Sequence, residues 1–200
     1  MRPTLVIMLK EPRPGRVKTR LGADIGMTNA AWWFRHQSRR LLRTIQDPRW
    51  QTVLAVAPDR AMSSRAWPAG LPRIAQGPGD LGARMARIMR TLPPGPICII
   101  GADIPDIRRT HIARAFQSLG AHDATFGPAP DGGYWLIGAK RRRAIPRGFL
   151  QNVRWSSPYA LADSRATLPA WRIALTDTLN DVDTAADLCP SSGQKYPGGP

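Results

Sequence analysis

The chain has 200 residues, 42% of them hydrophobic, with 29 Lys plus Arg against 14 Asp plus Glu. That length suits one domain with a full core, and no apolar run nears the ~20 residues of a membrane-spanning helix. A transmembrane protein and a disordered chain are excluded, and two cysteines cannot build a disulfide framework or a Cys-rich zinc site.

Thr4 to Leu9 is β-branched and apolar and reads as a buried strand. It is too short for a signal-peptide core, and Lys10, Glu11 and Pro12 follow it without a small-residue cleavage site, so a soluble, cytoplasmic protein is expected. Glu11 to Leu21 reads as a basic loop, and Thr28 as the N-cap of a helix to about Ile45. Thr52 to Ala57 and Arg73 to Ala75 read as strands, and Gly77 to Asp80 as a tight turn. Leu81, Met85, Ile88, Met89 and Leu92 recur at helical spacing, and Pro93 to Pro96 end that helix.

Ile97 to Ile100 is all apolar, as a central parallel strand requires, and Gly101 to Asp106 is the loop at its carboxyl end. A helix is expected over Arg108 to Leu119 and a strand over Ala124 to Gly127. The turn Pro128 to Gly133 and a strand over Tyr134 to Gly138 follow. Arg141 to Asn152 reads as irregular, Pro158 to Leu168 as helix, Trp171 to Leu175 as strand, and Thr184 to Leu188 as the start of a last helix. Residues 1–189 form the expected single domain, and 190–200, rich in Gly, Pro and Ser, a disordered tail. Alternating strands and helices predict an α/β protein, a three-layer α/β/α Rossmann-like fold with a mainly parallel sheet. Cys98 sits in an apolar run and reads as a core residue, while Cys189 opens the polar tail.

The net charge is +15, which raises nucleic-acid binding as a possibility. Only four of the cations are Lys, an imbalance that genomic base composition also produces, and they are scattered apart from Lys140 to Arg143. Base composition or an anionic small substrate therefore accounts for the charge better than a nucleic-acid surface does. The acids are scarcer and better placed. Asp80, Asp103, Asp106, Asp131, Asp181 and Asp183 all fall beside Gly, Pro or Asn or where an apolar run ends. Loops at the carboxyl ends of parallel strands are where ligands bind.

Five segments can carry chemistry. Lys10 to Leu21 is neither a P-loop nor a dinucleotide fingerprint, yet it puts Arg13, Arg16, Lys18 and Arg20 after the first strand, where they suit a di- or triphosphate. A solvated basic turn is the plainer alternative. Asp103, just past the buried strand, suits Mg²⁺ or Mn²⁺, or else caps a helix; Asp106 is divided between the same two roles. Asp131, Gly132 and Gly133 allow close approach of backbone to a ligand, with Tyr134 or Trp135 to stack, or else form a hairpin turn. Asp183 is a second metal carboxylate, or with Thr184 a cap for the last helix. The glycine-rich run Gln76 to Met85 opens a helix, whose N-terminus favours an anion, or else packs tightly on a strand. The histidines His36, His111 and His122 lack a partner nucleophile.

In order, the chain carries Lys10-x-Pro-x-Pro-Gly-Arg-x-Lys-Thr-Arg-Leu21, Gly79-Asp-Leu-Gly-x-Arg-Met85 and Ile100-Gly-Ala-Asp-Ile-Pro105. Phe126-Gly-Pro-Ala-x-Asp-Gly-Gly-Tyr-Trp-Leu-Ile-Gly138, Phe149 to Ser156, and Asp181-Val-Asp-Thr184 follow. This ordered set, over roughly residues 4 to 188, resembles the bacterial DUF2064 family, also called selenodomain-associated transferase 1. The resemblance implies a GT-A fold of the nucleotide-diphospho-sugar transferase type, similar to sugar nucleotidyltransferases and the guanylyltransferases of cofactor biosynthesis. It implies that Asp103 holds Mg²⁺ or Mn²⁺ with Asp183 as a second ligand, and that Lys18 and Arg20 meet nucleotide phosphates. Lys10, Gly15, Arg16, Thr19, Asp80, Asp131, Gly132 and Gly133 complete the implied nucleotide site. The chain departs from the pattern at Trp32, Trp33, Arg35, Ala83, Ala185 and Ala186.

The expected function is metal-dependent glycosyl or nucleotidyl transfer from a nucleotide or nucleotide sugar to an unknown small acceptor. Asp103, Lys18 and Arg20 are its catalytic residues. A non-catalytic nucleotide- or nucleic-acid-binding protein of the same fold is the alternative.

Overall fold

The structure, a computed structural model, describes residues 2–188. Seven strands form one sheet: β1 Thr4–Lys10, β2 Gln51–Ala57, β3 Arg73–Ala75, β4 Ile97–Ile100, β5 Ala124–Pro128, β6 Tyr134–Ala139 and β7 Ile173–Leu175. Their order is β3-β2-β1-β4-β6-β5-β7. Every neighbouring pair is parallel except the two that involve β6. The helices are α1 Thr19–Ile25, α2 Met27–Thr44, α3 Leu81–Thr91, α4 Arg109–Ser118 and α5 Ala160–Ala166.

The period-2 alternation of strand side chains builds the three layers. From β1, Leu5, Ile7 and Leu9 pack with Phe34, Leu41 and Leu42 of α2 and Ile112 and Ala115 of α4. Val6, between them, faces the other way and joins Met85, Ile88 and Met89 of α3 and Ala160 of α5. Cys98 of β4 is fully buried, and burial pushes its thiol pKa up. It is a core residue, as its sequence context predicts. Cys189 and the expected tail lie outside the described residues. Among the described residues, no helix is long and apolar enough to cross a membrane.

Several element ends differ from expectation for local reasons. The loop expected over Glu11 to Leu21 ends early, because α1 already starts at Thr19. Gly26, at φ 90, separates α1 from α2 and takes the N-cap position expected of Thr28. That backbone conformation suits a residue without Cβ. Helix α5 and strand β7 are shorter than the sequence pattern suggests, and the last helical segment is a single 3-10 turn over Ala185–Leu188. A second 3-10 turn, Asp59–Ser63, has no apolar periodicity to announce it.

Between β1 and β4 the chain order reverses: β2 and β3 lie to one side of β1, and β4 to the other. In open α/β sheets the crevice at such a switch point, outside the strand carboxyl ends, is where ligands bind.

Candidate functional site

The loop after β1 and the loop after β4 leave the sheet side by side at this switch point. Lys18, the residue before α1, has a left-handed backbone at φ 45. Its side chain is 8% exposed, and its Nζ lies 2.6 Å from an Asp103 carboxylate oxygen. It also donates to Asp183 at 2.8 Å and stands 3.9 Å from Asp181. Arg20, largely exposed, donates to the other oxygen of Asp183 at 3.0 Å.

The two aspartates of the far loop arrive by a traceable route. After β7 the chain follows β5, with Thr176 N–H donating to Phe126 O and Leu179 N–H to Pro128 O. Val182 N–H then donates to Asp103 O, and the Val182 side chain is buried with Leu21 and Ala30. Asp181 and Asp183 flank that anchor. Ala185 N–H donates to Asp24 of α1, which fixes the segment from the other end.

The electrostatics follow from this crowding. Burial would lower the Lys18 pKa, but Asp103 and Asp183 outweigh it and hold the ammonium above its ordinary value. Burial alone would raise the Asp183 pKa, but Lys18 and Arg20 more than offset it, and the carboxyl is lowered. Asp181 has Lys18 only at 3.9 Å, farther than Asp103 or Asp183 has it. Burial, with the Asp103 charge beside it, pushes its pKa up to about 6.

These groups line one side of a cleft of about 700 Å³. Of the nucleotide-site residues expected from sequence, Lys10, Arg16, Lys18, Thr19, Arg20, Asp80, Asp103, Asp131, Gly133 and Asp183 line it. Gly15 and Gly132 do not. Gly15 sits at φ 69 in open space, as a turn residue. Gly132, at φ 84, is pressed against the Pro158 backbone, where a Cβ would come within 2.2 Å of Pro158 O.

The alternatives left open by the sequence resolve in different directions. Asp131 accepts from Gly133 N–H at 2.9 Å within the β5–β6 hairpin turn, so its turn role is real and its position on the cleft is additional. Asp80 caps α3, its carboxylate accepting from Ala83 N–H at 2.8 Å. Neither Asp103 nor Asp106 caps α4, whose N-cap residue is Arg108. Asp183 is not a helix cap either; Asp187 accepts the N–H groups of Asp183 and Thr184. Asp106 is exposed and lies off the cleft lining.

Sequence reasoning assigned no role to Asp181, Gln76, Arg84 or Trp155, all of which line the cleft. Asp181 was visible as one of the loop aspartates, and only the Val182 anchor brings it into the cluster. Gln76 is buried, its amide donating to Leu9 O and Ala55 O beneath the cleft. The indole N–H of Trp155 is buried without a partner among the described residues.

The donor set fits a hard divalent cation. Among the described residues no three His, Cys, Asp or Glu side chains already stand as a metal cluster. Mg²⁺, however, commonly takes one or two carboxylates from the protein and the rest from water and phosphate. Asp103 and Asp183, bridged by one ammonium, could supply two such oxygens.

A family model described as "Uncharacterized protein conserved in bacteria (DUF2064)" matches residues 41–157, more than half of the chain. No curated protein matches the chain. Among solved structures, it is similar to a candidate nucleotide-diphospho-sugar transferase from Desulfovibrio desulfuricans, at 27% identity and a TM-score of 0.79, covering 94% of this chain and 85% of that one. It shares its fold with a CMP:2-keto-3-deoxy-manno-octonic acid synthetase complexed with CTP, at 16% identity and TM-score 0.58, covering 94% and 95%. It shares it also with a manganese complex of Rv0371c from Mycobacterium tuberculosis, at 15% identity and TM-score 0.53, covering 94% and 96%. The fold is thus that of nucleotide-diphospho-sugar transferases and cytidylyltransferases, as the sequence motifs imply.

Proposed function

Since this chain belongs to the DUF2064 family, we propose that it is a metal-dependent transferase whose donor is a nucleotide or a nucleotide sugar. The observation that carries the reading is the meeting of Asp103, Asp181 and Asp183 around Lys18 at the mouth of the switch-point cleft.

Asp103 and Asp183 are the residues that would hold Mg²⁺ or Mn²⁺. Bound there, the cation would neutralise phosphate charge and act as a Lewis acid. The chain's own cations do the rest. Arg20 spends one N–H on Asp183, which leaves the remainder of its fork for phosphate oxygens. Arg16 and Lys10 line the same rim, exposed and without an ion pair among the described residues. Lys18 holds Asp103 and Asp183 together and keeps one N–H to spare. Charge that develops on a leaving phosphate oxygen would fall among these donors.

Two chemistries suit this arrangement. With a nucleoside triphosphate, an acceptor oxygen attacks the α-phosphorus and pyrophosphate leaves. With a nucleotide sugar, an acceptor hydroxyl attacks the anomeric carbon and the nucleoside diphosphate leaves. The acceptor is a small molecule in both.

The test is a thermal-shift screen of the purified protein against nucleoside triphosphates and nucleotide sugars, with and without Mg²⁺ or Mn²⁺. A metal-dependent rise in Tm with one triphosphate supports nucleotidyl transfer; a rise with one nucleotide sugar and its diphosphate supports glycosyl transfer. Asp103→Asn abolishes the metal-dependent part. If no donor raises Tm with metal, or if Asp103→Asn responds as the parent does, the proposal fails.

A further inference from the structure

Helix α3 separates the switch-point cleft from a second one of about 550 Å³, lined by Arg87, Arg90, Arg147 and the turn Gln151–Asn152. The two clefts share Asp80. None of the three arginines takes part in an ion pair among the described residues. Asp80 is the only acid in the lining, and its carboxylate is turned onto the N-terminus of its own helix.

We propose that this second cleft binds a small polyanion, a molecule carrying two or more phosphate or carboxylate groups. The arginines are held in place by neutral acceptors. Arg87 donates to Gln76 O and Pro78 O, both at 2.8 Å. Arg90 donates to Pro146 O at 2.7 Å and Arg147 O at 3.2 Å. Each guanidinium has five N–H groups, so each is oriented by two bonds and keeps three for a ligand. Carbonyls do not neutralise the charge, so the positive potential stays in the cleft. Gly77 makes room for Arg87, since a Cβ there would stand 2.7 Å from its Nη1. Arg147 is exposed; its backbone carbonyl accepts from Arg90 and Gln151, but its guanidinium has no partner among the described residues and is free to close on an anion that the other two receive.

The backbone supports a shaped site. Leu150 and Asn152 both adopt positive φ, 59 and 57, unusual for side-chain-bearing residues. Leu150 is buried, and its carbonyl packs so closely on α3 that a Cβ on Gly82 would lie 2.4 Å away. The turn Gln151–Asn152 is thereby fixed at the rim. Arg87 also grips the loop that leads to Asp80, a residue on the wall common to both clefts.

The experiment is calorimetric titration of the full chain with inorganic tripolyphosphate, in chelator and at about 0.15 M salt, where screening suppresses diffuse charge attraction. Arg147→Gln, which breaks no contact of the fold, weakens one equivalent by about fivefold or more. Arg90→Gln combined with Arg147→Gln abolishes that equivalent. Arg20→Ala leaves it unchanged, so failure of the nucleotide site and failure of this site are told apart. Parental binding by the double variant overturns the proposal. So does an equal loss in Arg35→Gln, on α2 and lining neither cleft, since net charge alone would then explain the affinity.

Discussion

The Lys18 ammonium lies 2.6 Å from Asp103, and the same nitrogen reaches Asp183 at 2.8 Å, so one lysine ties the loop after β1 to both ends of the carboxylate cluster. Without it, three carboxylates would face one another with Arg20 as the nearest cation. Lys18→Met is therefore expected to destabilise the protein by about 1–3 kcal/mol, less than for a fully buried pair because the carboxylates are about a third exposed. Added Mg²⁺ should restore more of the Tm in Lys18→Met than it adds to the parent, because the cation then faces no competing ammonium. Equal Mg²⁺ shifts in the two proteins would count against a cation site at Asp103 and Asp183.

The cluster illustrates how far the sequence can be read. Asp103 was legible because it follows a four-residue apolar strand, Ile97–Ile100, and such strands end at the ligand crevice. Lys18 and Arg20 were legible as charges after the first strand. Their orientation was not. A lysine in a basic loop suggests a phosphate, whereas this one turns inward onto carboxylates that come from loops remote in sequence. Local periodicity gave the three layers, since Leu5, Val6, Ile7 and Leu9 alternate as a two-sided strand must. It could not give the antiparallel course of β6, which depends on how the Pro128 to Gly133 turn closes. Nor could it pair Arg87 and Arg90 with Arg147, because the irregular stretch that brings Arg147 to α3 has no period at all.

Gly132 is required by packing. Its φ of 84 already disfavours a side chain, and a Cβ would meet Pro158 O at 2.2 Å and Pro158 Cα at 2.5 Å. The neighbour is backbone and cannot swing aside. Leu161 N–H also donates to Gly132 O, so the turn and the start of α5 must move together. Gly132→Ala should cost about 2–4 kcal/mol, read as a lower urea midpoint with unchanged slope. A neutral effect would show that the hairpin turn and α5 are not packed as described.

Acid stability should follow Asp163. Arg154 holds its carboxylate in a two-pronged pair at 2.8 and 2.9 Å, and Arg154 N–H adds a third bond at 3.0 Å. The hydrogen bonds from the Arg154 side chain and backbone lower the Asp163 pKa from 3.8 to about 2. A carboxyl lowered on folding contributes stability above its unfolded pKa and loses it as pH falls through the folded value. The Tm gap between the parent and Asp163→Asn should thus be constant above about pH 5 and shrink between 3.8 and about 2. A gap that does not change with pH would assign the effect to packing in place of charge.

Asp80 separates a structural from a ligand role most cleanly, since it both caps α3 and lines the nucleotide cleft. Its carboxylate satisfies Ala83 N–H, one of the donors that a helix start leaves free, and Asp80→Ala should cost about 1 kcal/mol. Asp80→Ser restores a capping oxygen without the charge and should recover most of that stability. If Asp80 also meets the nucleotide, the two variants should bind donor equally weakly although they differ in Tm. If capping is its whole role, donor affinity should recover in Asp80→Ser together with the stability. Urea midpoints and donor titrations on the same pair of variants decide between these outcomes, because only a ligand contact makes affinity and stability part company.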